Sequence, residues 1–202
     1  MTSESASLKA RCCNRRTPSL GLLLVLPLTL AACSAGAPPT FDLSPASGSF
    51  HVHAARGQLA VAEPVTDSPL ASQRILVRRP DDSIAYLSGA QWADRLPALV
   101  QTRLIETFEN AHLLREVGRP GMAANFTLSS EIRRFELNAA NFQTAVVIAA
   151  QLVDNTGRIR YARIFKASVP TQHDDGPSVS AALDQALGQV MRQIVRWAAP
   201  LI

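Results

Sequence analysis

FQTAVVIAAQLVDNTGRIRYARIFKASV, residues 142–169, decides the fold. Val146, Ile148 and Leu152 occupy alternate positions, so they share one face of an extended strand from Phe142 to Asp154. Asn155-Thr156-Gly157 is tight-hairpin chemistry, with a glycine that takes positive φ at no steric cost. Arg158 to Val169 returns as the second strand. One side of so apolar a hairpin has to be buried under another layer.

Working outward, the segment after the hairpin supplies that layer. Asp174-Asp175-Gly176 offers capping groups and Pro177 suits a first helical turn. Val179, Leu183, Ala186, Leu187, Val190, Ile194 and Trp197 then recur at helical spacing, and Pro200 stops the helix. Before the hairpin, Asn125 to Asn138 reads as a long strand whose phase changes midway. Phe126, Leu128 and Ile132 share one face, whereas Phe135 and Leu137 are out of step. A β-bulge near Arg133-Arg134 restores the register.

Further toward the N-terminus, Trp92, Leu96, Leu99, Val100, Leu104 and Phe108 form a helical stripe over Trp92 to Glu109. Pro97 lies inside it, which predicts a late start or a kink. Strands are predicted at Phe41–Leu43, Val52–Val61, Ile75–Arg79, Ser83–Leu87 and Leu113–Val117, with turns at Glu63–Ser68, Pro80–Asp82 and Arg119–Gly121. Strands, helix, strands, helix gives an α+β class. The expected architecture is a two-layer sandwich, a mainly antiparallel sheet with two amphipathic helices packed on one face.

The first residues read differently. Lys9, Arg11, Arg15 and Arg16 precede an apolar run from Leu20 to Leu30, and Leu30-Ala31-Ala32-Cys33 follows. That is the order of a secretory signal, and the run is about half the ~20 residues a spanning helix needs. Leu-Ala-Ala-Cys resembles a bacterial lipobox, which implies cleavage between Ala32 and Cys33 and acylation of Cys33 by fatty chains such as palmitate. The alternative is an ordinary signal with a chance cysteine. Ser34 after the cysteine suggests, by the same resemblance, outer-membrane sorting on the periplasmic side. The expected organisation is a signal at 1–32, a Gly- and Pro-containing tether at 33–40, and one domain at 41–202.

Composition narrows the function. Four of the 20 Lys+Arg and one of the 16 Asp+Glu precede Cys33, so the remainder has a formal net charge of +1. No basic excess supports nucleic-acid binding. Cys12 and Cys13 lie in the signal, which leaves no cysteine for a disulfide or thiolate metal site after Cys33. No nucleophile elbow, phosphate-binding glycine loop or zincin motif is present, and no catalytic residue, metal or cofactor is expected.

His51 and His53 share a strand face and would give two zinc ligands, but a zinc site needs more, so they read as surface histidines. The acids of His173-Asp174-Asp175 read as helix caps. Trp92 and Trp197 read as pins between helices and sheet, with partner anchors as the alternative. Arg133, Arg134, Arg158, Arg160 and Arg163 lie on adjacent strands. They form either a solvated face or a patch for an acidic partner or lipid headgroups.

Several segments in order carry a family likeness: Phe41-Asp42-Leu43 soon after the lipobox, Ile75 to Arg78, Ile84-Ala85-Tyr86, Trp92-Ala93-Asp94-Arg95-Leu96, Phe126-Thr127-Leu128, Ile132 to Glu136, and the Val146 to Asp154 strand with its Gly157 hairpin. Together they resemble the ABC-type transport auxiliary lipoproteins. Arg95 departs from the pattern, since members often have proline there and here it comes at Pro97. The resemblance implies a non-catalytic accessory working beside an ABC ATPase, its permease and a periplasmic Mce-domain protein. It would dock that partner at the outer membrane while phospholipid or another apolar molecule is moved. Self-association into a homo-oligomer is left open. The competing functions are an envelope-assembly lipoprotein, for outer-membrane proteins or lipopolysaccharide, and a lipid-anchored hydrolase.

Overall fold

Residues 37–50 and 57–202 are described in the computed structural model. They form β1 (Thr40–Phe41), β2 (Gln58–Val61), β3 (Val65–Thr66), β4 (Arg74–Arg78), β5 (Ile84–Trp92), α1 (Leu96–Ala111), β6 (Glu116–Gly118), β7 (Phe126–Asn138), β8 (Gln143–Asp154), β9 (Ile159–Pro170) and α2 (Gly176–Ala198), closed by a 3-10 turn at Ala199–Leu201. The signal segment, Ala32, Cys33, His51 and His53 lie outside the described residues.

β7 is the hub of the sheet. β8 pairs antiparallel along one of its edges, from Phe126↔Asp154 to Asn138↔Gln143, and β9 pairs antiparallel with β8. The other edge of β7 is shared in succession by three parallel strands: β2 at Leu59↔Phe126, β3 at Val65↔Glu131 and β4 at Leu76↔Glu136. β6 flanks β2, β5 pairs antiparallel with β4, and β1 runs parallel to β5. The sheet is therefore open and mixed. Its long ladders are antiparallel and its short ones parallel.

The phase change in β7 has the expected cause. Ile132 faces Ile148 and Arg134 faces Val147, so Arg133 is the extra residue of a bulge. Leu128 and Ile132 before it, and Phe135 and Leu137 after it, consequently all point into the core. The hairpin turn is held by Asp154, whose backbone exchanges hydrogen bonds with Arg158 and Gly157 while Gly157 takes φ 82°. This is a three-residue loop ending in a left-handed glycine.

Both helices cover the same sheet face, and their apolar stripes join one core with β7 and β8. α1 starts late, at Leu96, because Pro97 sits in its first turn, where a missing N–H costs nothing. Trp92 therefore belongs to the end of β5 and not to the helix. It is fully buried and meets Phe135 edge to face, with ring centroids 5.7 Å apart. Trp197 at the end of α2 packs on Phe165 at 5.4 Å. Each such ring removed from water contributes up to ~3 kcal/mol. α2 begins at Asp175, whose side chain accepts from the Ser178 amide at 2.8 Å.

The segment after β1 straps onto both helices. Ser44 N–H donates to Asp184, Ala46 N–H donates to Thr107, and Arg103 donates to Asp42 at 2.7 Å. One further difference from the sequence reading is β3, which lies within the predicted turn at Glu63–Ser68.

Candidate functional site

The helices bury one face of the β7–β8–β9 ladder and leave the other open. Residues opposite each other in antiparallel strands point the same way, so the register writes out the open face in rows. One row is Arg134, Val147 and Lys166. The next is Glu136, Ala145 and Ser168, and the row on the other side is Glu131, Ala149 and Ile164. Small residues occupy the middle strand and longer ones the outer two. The result is a depression of about 590 Å³ over Ala145 and Val147, bordered by Arg134, Asn138, Asn141 and Lys166.

Beneath one rim lies a buried charge. Glu136 is only 2% exposed. Arg78 reaches it from β4 with two parallel bonds, Nε to Oε1 and Nη2 to Oε2, each 3.0 Å. Arg134 adds a third, Nε to Oε1 at 3.0 Å. The enclosed carboxylate thus meets charged donors at both oxygens, and a bidentate fork is a strong geometry for such a pair. The same contact, through its hydrogen bonds first and its charge second, holds Arg78 above the ordinary guanidinium value.

The five arginines singled out from the sequence do not converge. Arg133 and Arg134 project from the bulge onto the open face, where Arg133 pairs with Glu131 at 2.8 Å. Arg163 is in register with Ala150, on the helix side, with its guanidinium 5.7 Å from the Phe165 ring; it also borders a shallow hollow with Arg133 and Ile164. Arg158 and Arg160 sit at the hairpin end, and Arg160 approaches Asp154 at 3.9 Å. Lys166, Asn138, Asn141 and Arg78 were not singled out. Counting back from the Gly157 turn, which pairs Val153 with Ile159, would set Lys166 opposite Val146; a register shift between Leu152 and Val153 moves it opposite Val147, so local counting alone did not find it.

Elsewhere the titratable groups have structural roles. The Asp175 carboxyl is held below its usual range by the Ser178 amide and hydroxyl. Among the described residues no group of three or more His, Cys, Asp or Glu is placed to hold a metal ion, and no helix is long and apolar enough to cross a membrane.

Comparison with known proteins places these features. Residues 41–195 match the family model described as the ABC-type transport auxiliary lipoprotein component. An uncharacterized protein of Bradyrhizobium diazoefficiens is 32% identical over 144 residues, which is 69% of this chain and 38% of that protein. The chain thus spans well under half the length of that relative. A crystal structure of a protein from Xanthomonas campestris shares the fold with a TM-score of 0.76 at 24% identity, over 80% of this chain and 95% of the other. A second solved structure, of an uncharacterized protein, has a TM-score of 0.66 at 16% identity, covering 79% of this chain and 97% of that one.

Proposed function

The chain belongs to the ABC-type transport auxiliary lipoprotein component family, and on that premise we propose that it is a non-catalytic, lipid-anchored accessory of an ABC/Mce-type intermembrane transport system. Its task in this proposal is to dock the periplasmic Mce-domain partner at the outer membrane during the movement of phospholipid or another apolar molecule. The ABC permease and ATPase complete the system. Acylated Cys33 provides the anchor, and the short tether of residues 33–40 keeps the domain near the bilayer.

The observation that carries this reading is the extent of the family match, 41–195, which takes in almost all of the chain beyond the lipobox. The fold supports it in a second way. The helices are used up on one side of the sheet, and the opposite side of β7–β9 keeps apolar and cationic groups available to another molecule. A family of envelope lipoproteins also agrees with the Leu-Ala-Ala-Cys segment at 30–33.

The test is recovery of partners from detergent-solubilised envelopes with the native chain as bait and Cys33→Ala in parallel. An Mce-domain protein together with ABC subunits is expected, and Cys33→Ala should leave the membrane fraction. Recovery of outer-membrane assembly factors alone would replace the transport role with envelope assembly. Turnover of an ester or peptidoglycan substrate by the purified chain would overturn the non-catalytic role.

A further inference from the structure

We propose that the depression between Arg134 and Lys166 binds the phosphate group of an amphiphile. The argument starts from the register. Arg134, Val147 and Lys166 lie in one row across β7, β8 and β9. Neighbouring strands are ~4.8 Å apart, so the two cations rise from backbones ~10 Å apart with a small residue between them. That spacing lets both long side chains close on one anion from opposite sides.

Arg134 is already aimed. Its Nε is fixed on Glu136 at 3.0 Å, and among the described residues its two terminal nitrogens have no protein partner. Lys166 forms no ion pair among the described residues. Glu136 is shared between Arg78, which donates to both of its oxygens, and Arg134, which donates to one, so the three side chains together keep a single net positive charge beside the depression.

The uncharged rim is arranged for the same ligand. Asn138 Oδ1 accepts from the Ala140 amide at 2.9 Å, and Asn141 Oδ1 accepts from the Gln143 amide at 3.2 Å. Each asparagine therefore has its acceptor engaged by the backbone and offers its NH2 group as a donor. No carboxylate lines the depression. Two cations and two amide donors with no competing acid suit an anion with several oxygens, and a phosphate meets that description.

The apolar part of the ligand follows from the neighbouring row. Ala145 and Val147 floor the depression, and Ala149 and Ile164 continue the surface beyond Arg134 and Lys166, past the paired Arg133 and Glu131. Ile164 is 56% exposed although it lies on a strand of the ladder. A hydrocarbon chain laid along Val147, Ala149 and Ile164 would cover it. This site does not depend on the identity of the docking partner, so partner recovery and ligand binding can fail independently.

The test uses the full acylated chain in a nonionic detergent, titrated with dihexanoylphosphatidic acid and followed by 31P line broadening. Inorganic phosphate and uncharged dihexanoylglycerol are titrated separately. Saturable binding of the phosphatidic acid is expected, weakened about tenfold by Lys166→Ala and again by Arg134→Ala. Arg115→Ala, remote from the depression, controls for net charge and should change nothing. Lys166 is exposed and forms no ion pair among the described residues, so Lys166→Ala should keep the wild-type thermal midpoint, measured alongside, and its loss of binding then reports on the site. Inorganic phosphate binding as tightly as the lipid would remove the amphiphile from the proposal. Equal binding of dihexanoylglycerol, or lipid binding unchanged by both substitutions, would overturn it.

Discussion

Arg78 on β4 and Glu136 on β7 are joined by two parallel 3.0 Å bonds, and this pair seals the short parallel ladder between their strands. Arg78→Ala leaves a 2%-exposed carboxylate with Arg134 as its remaining cation. A loss of ~2–3 kcal/mol is expected, at the lower end for a broken buried pair because Arg78 itself is a quarter exposed. Urea unfolding measures it. The double variant Arg78→Ala/Glu136→Gln should be less destabilised than the sum of the two single changes, since the unpaired charge is gone.

Trp92 closes the core where β5 ends. Its ring is 1% exposed and stands at 79° to Phe135. Trp92→Ala should cost ~3–5 kcal/mol through lost burial and an unfilled cavity. Trp92→Phe keeps much of the volume and should cost far less, a contrast that thermal unfolding can read.

Asp154 makes the hairpin sensitive to acid. Its carboxyl lies below the ordinary value, first because the Thr156 hydroxyl donates to it and then because the Arg158 amide does. A group lowered on folding stabilises fully above its unfolded pKa, ~4, and that contribution is lost as pH falls through the lower folded value. The protection of the Arg158 amide, its exchange rate relative to the intrinsic rate at each pH, should therefore hold down to about pH 4 and fall below it. Asp154→Asn should make the exchange faster at neutral pH and remove most of this acid step.

Gly57 leaves room for Ile202. A Cβ added there would lie 2.5 Å from both the Ile202 carbonyl oxygen and its Cγ2. Backbone as well as side chain would have to move, so Gly57→Ala is expected to cost ~1–3 kcal/mol. The same substitution in a chain truncated after Leu201 should cost under ~1 kcal/mol, which distinguishes a clash with Ile202 from a general backbone effect.

The parts of the fold legible in the sequence were those governed by neighbours in the chain. The 142–169 hairpin was legible because alternation and a Gly157 turn are both local, and the Arg133 bulge because the hydrophobic phase visibly changes. Trp92 satisfied two periods at once. It extends the helical stripe, and it also follows buried Ala90 by two residues, as a strand requires. Pro97 decided for the strand by fixing where the helix begins. β3 escaped because two residues, Val65 and Thr66, become a strand only through β7 some sixty positions away. The site was half legible for a related reason. Counting arginines found Arg134 but missed Lys166, whose place depends on the register across three strands.

The position of β7 also governs the order in which the domain can be made. β2, β3 and β4 all rest on one edge of β7, yet they precede it in the chain by dozens of residues. During synthesis from the N-terminus these strands emerge while their template does not yet exist. The β4–β5 hairpin can pair early, but the sheet cannot assemble until residues 126–138 have appeared. Such distant pairings make folding slow and leave strand edges uncovered in the interval. A fragment ending before Phe126 is then not half a domain but a set of unmatched edges, exposed to aggregation unless a chaperone holds them.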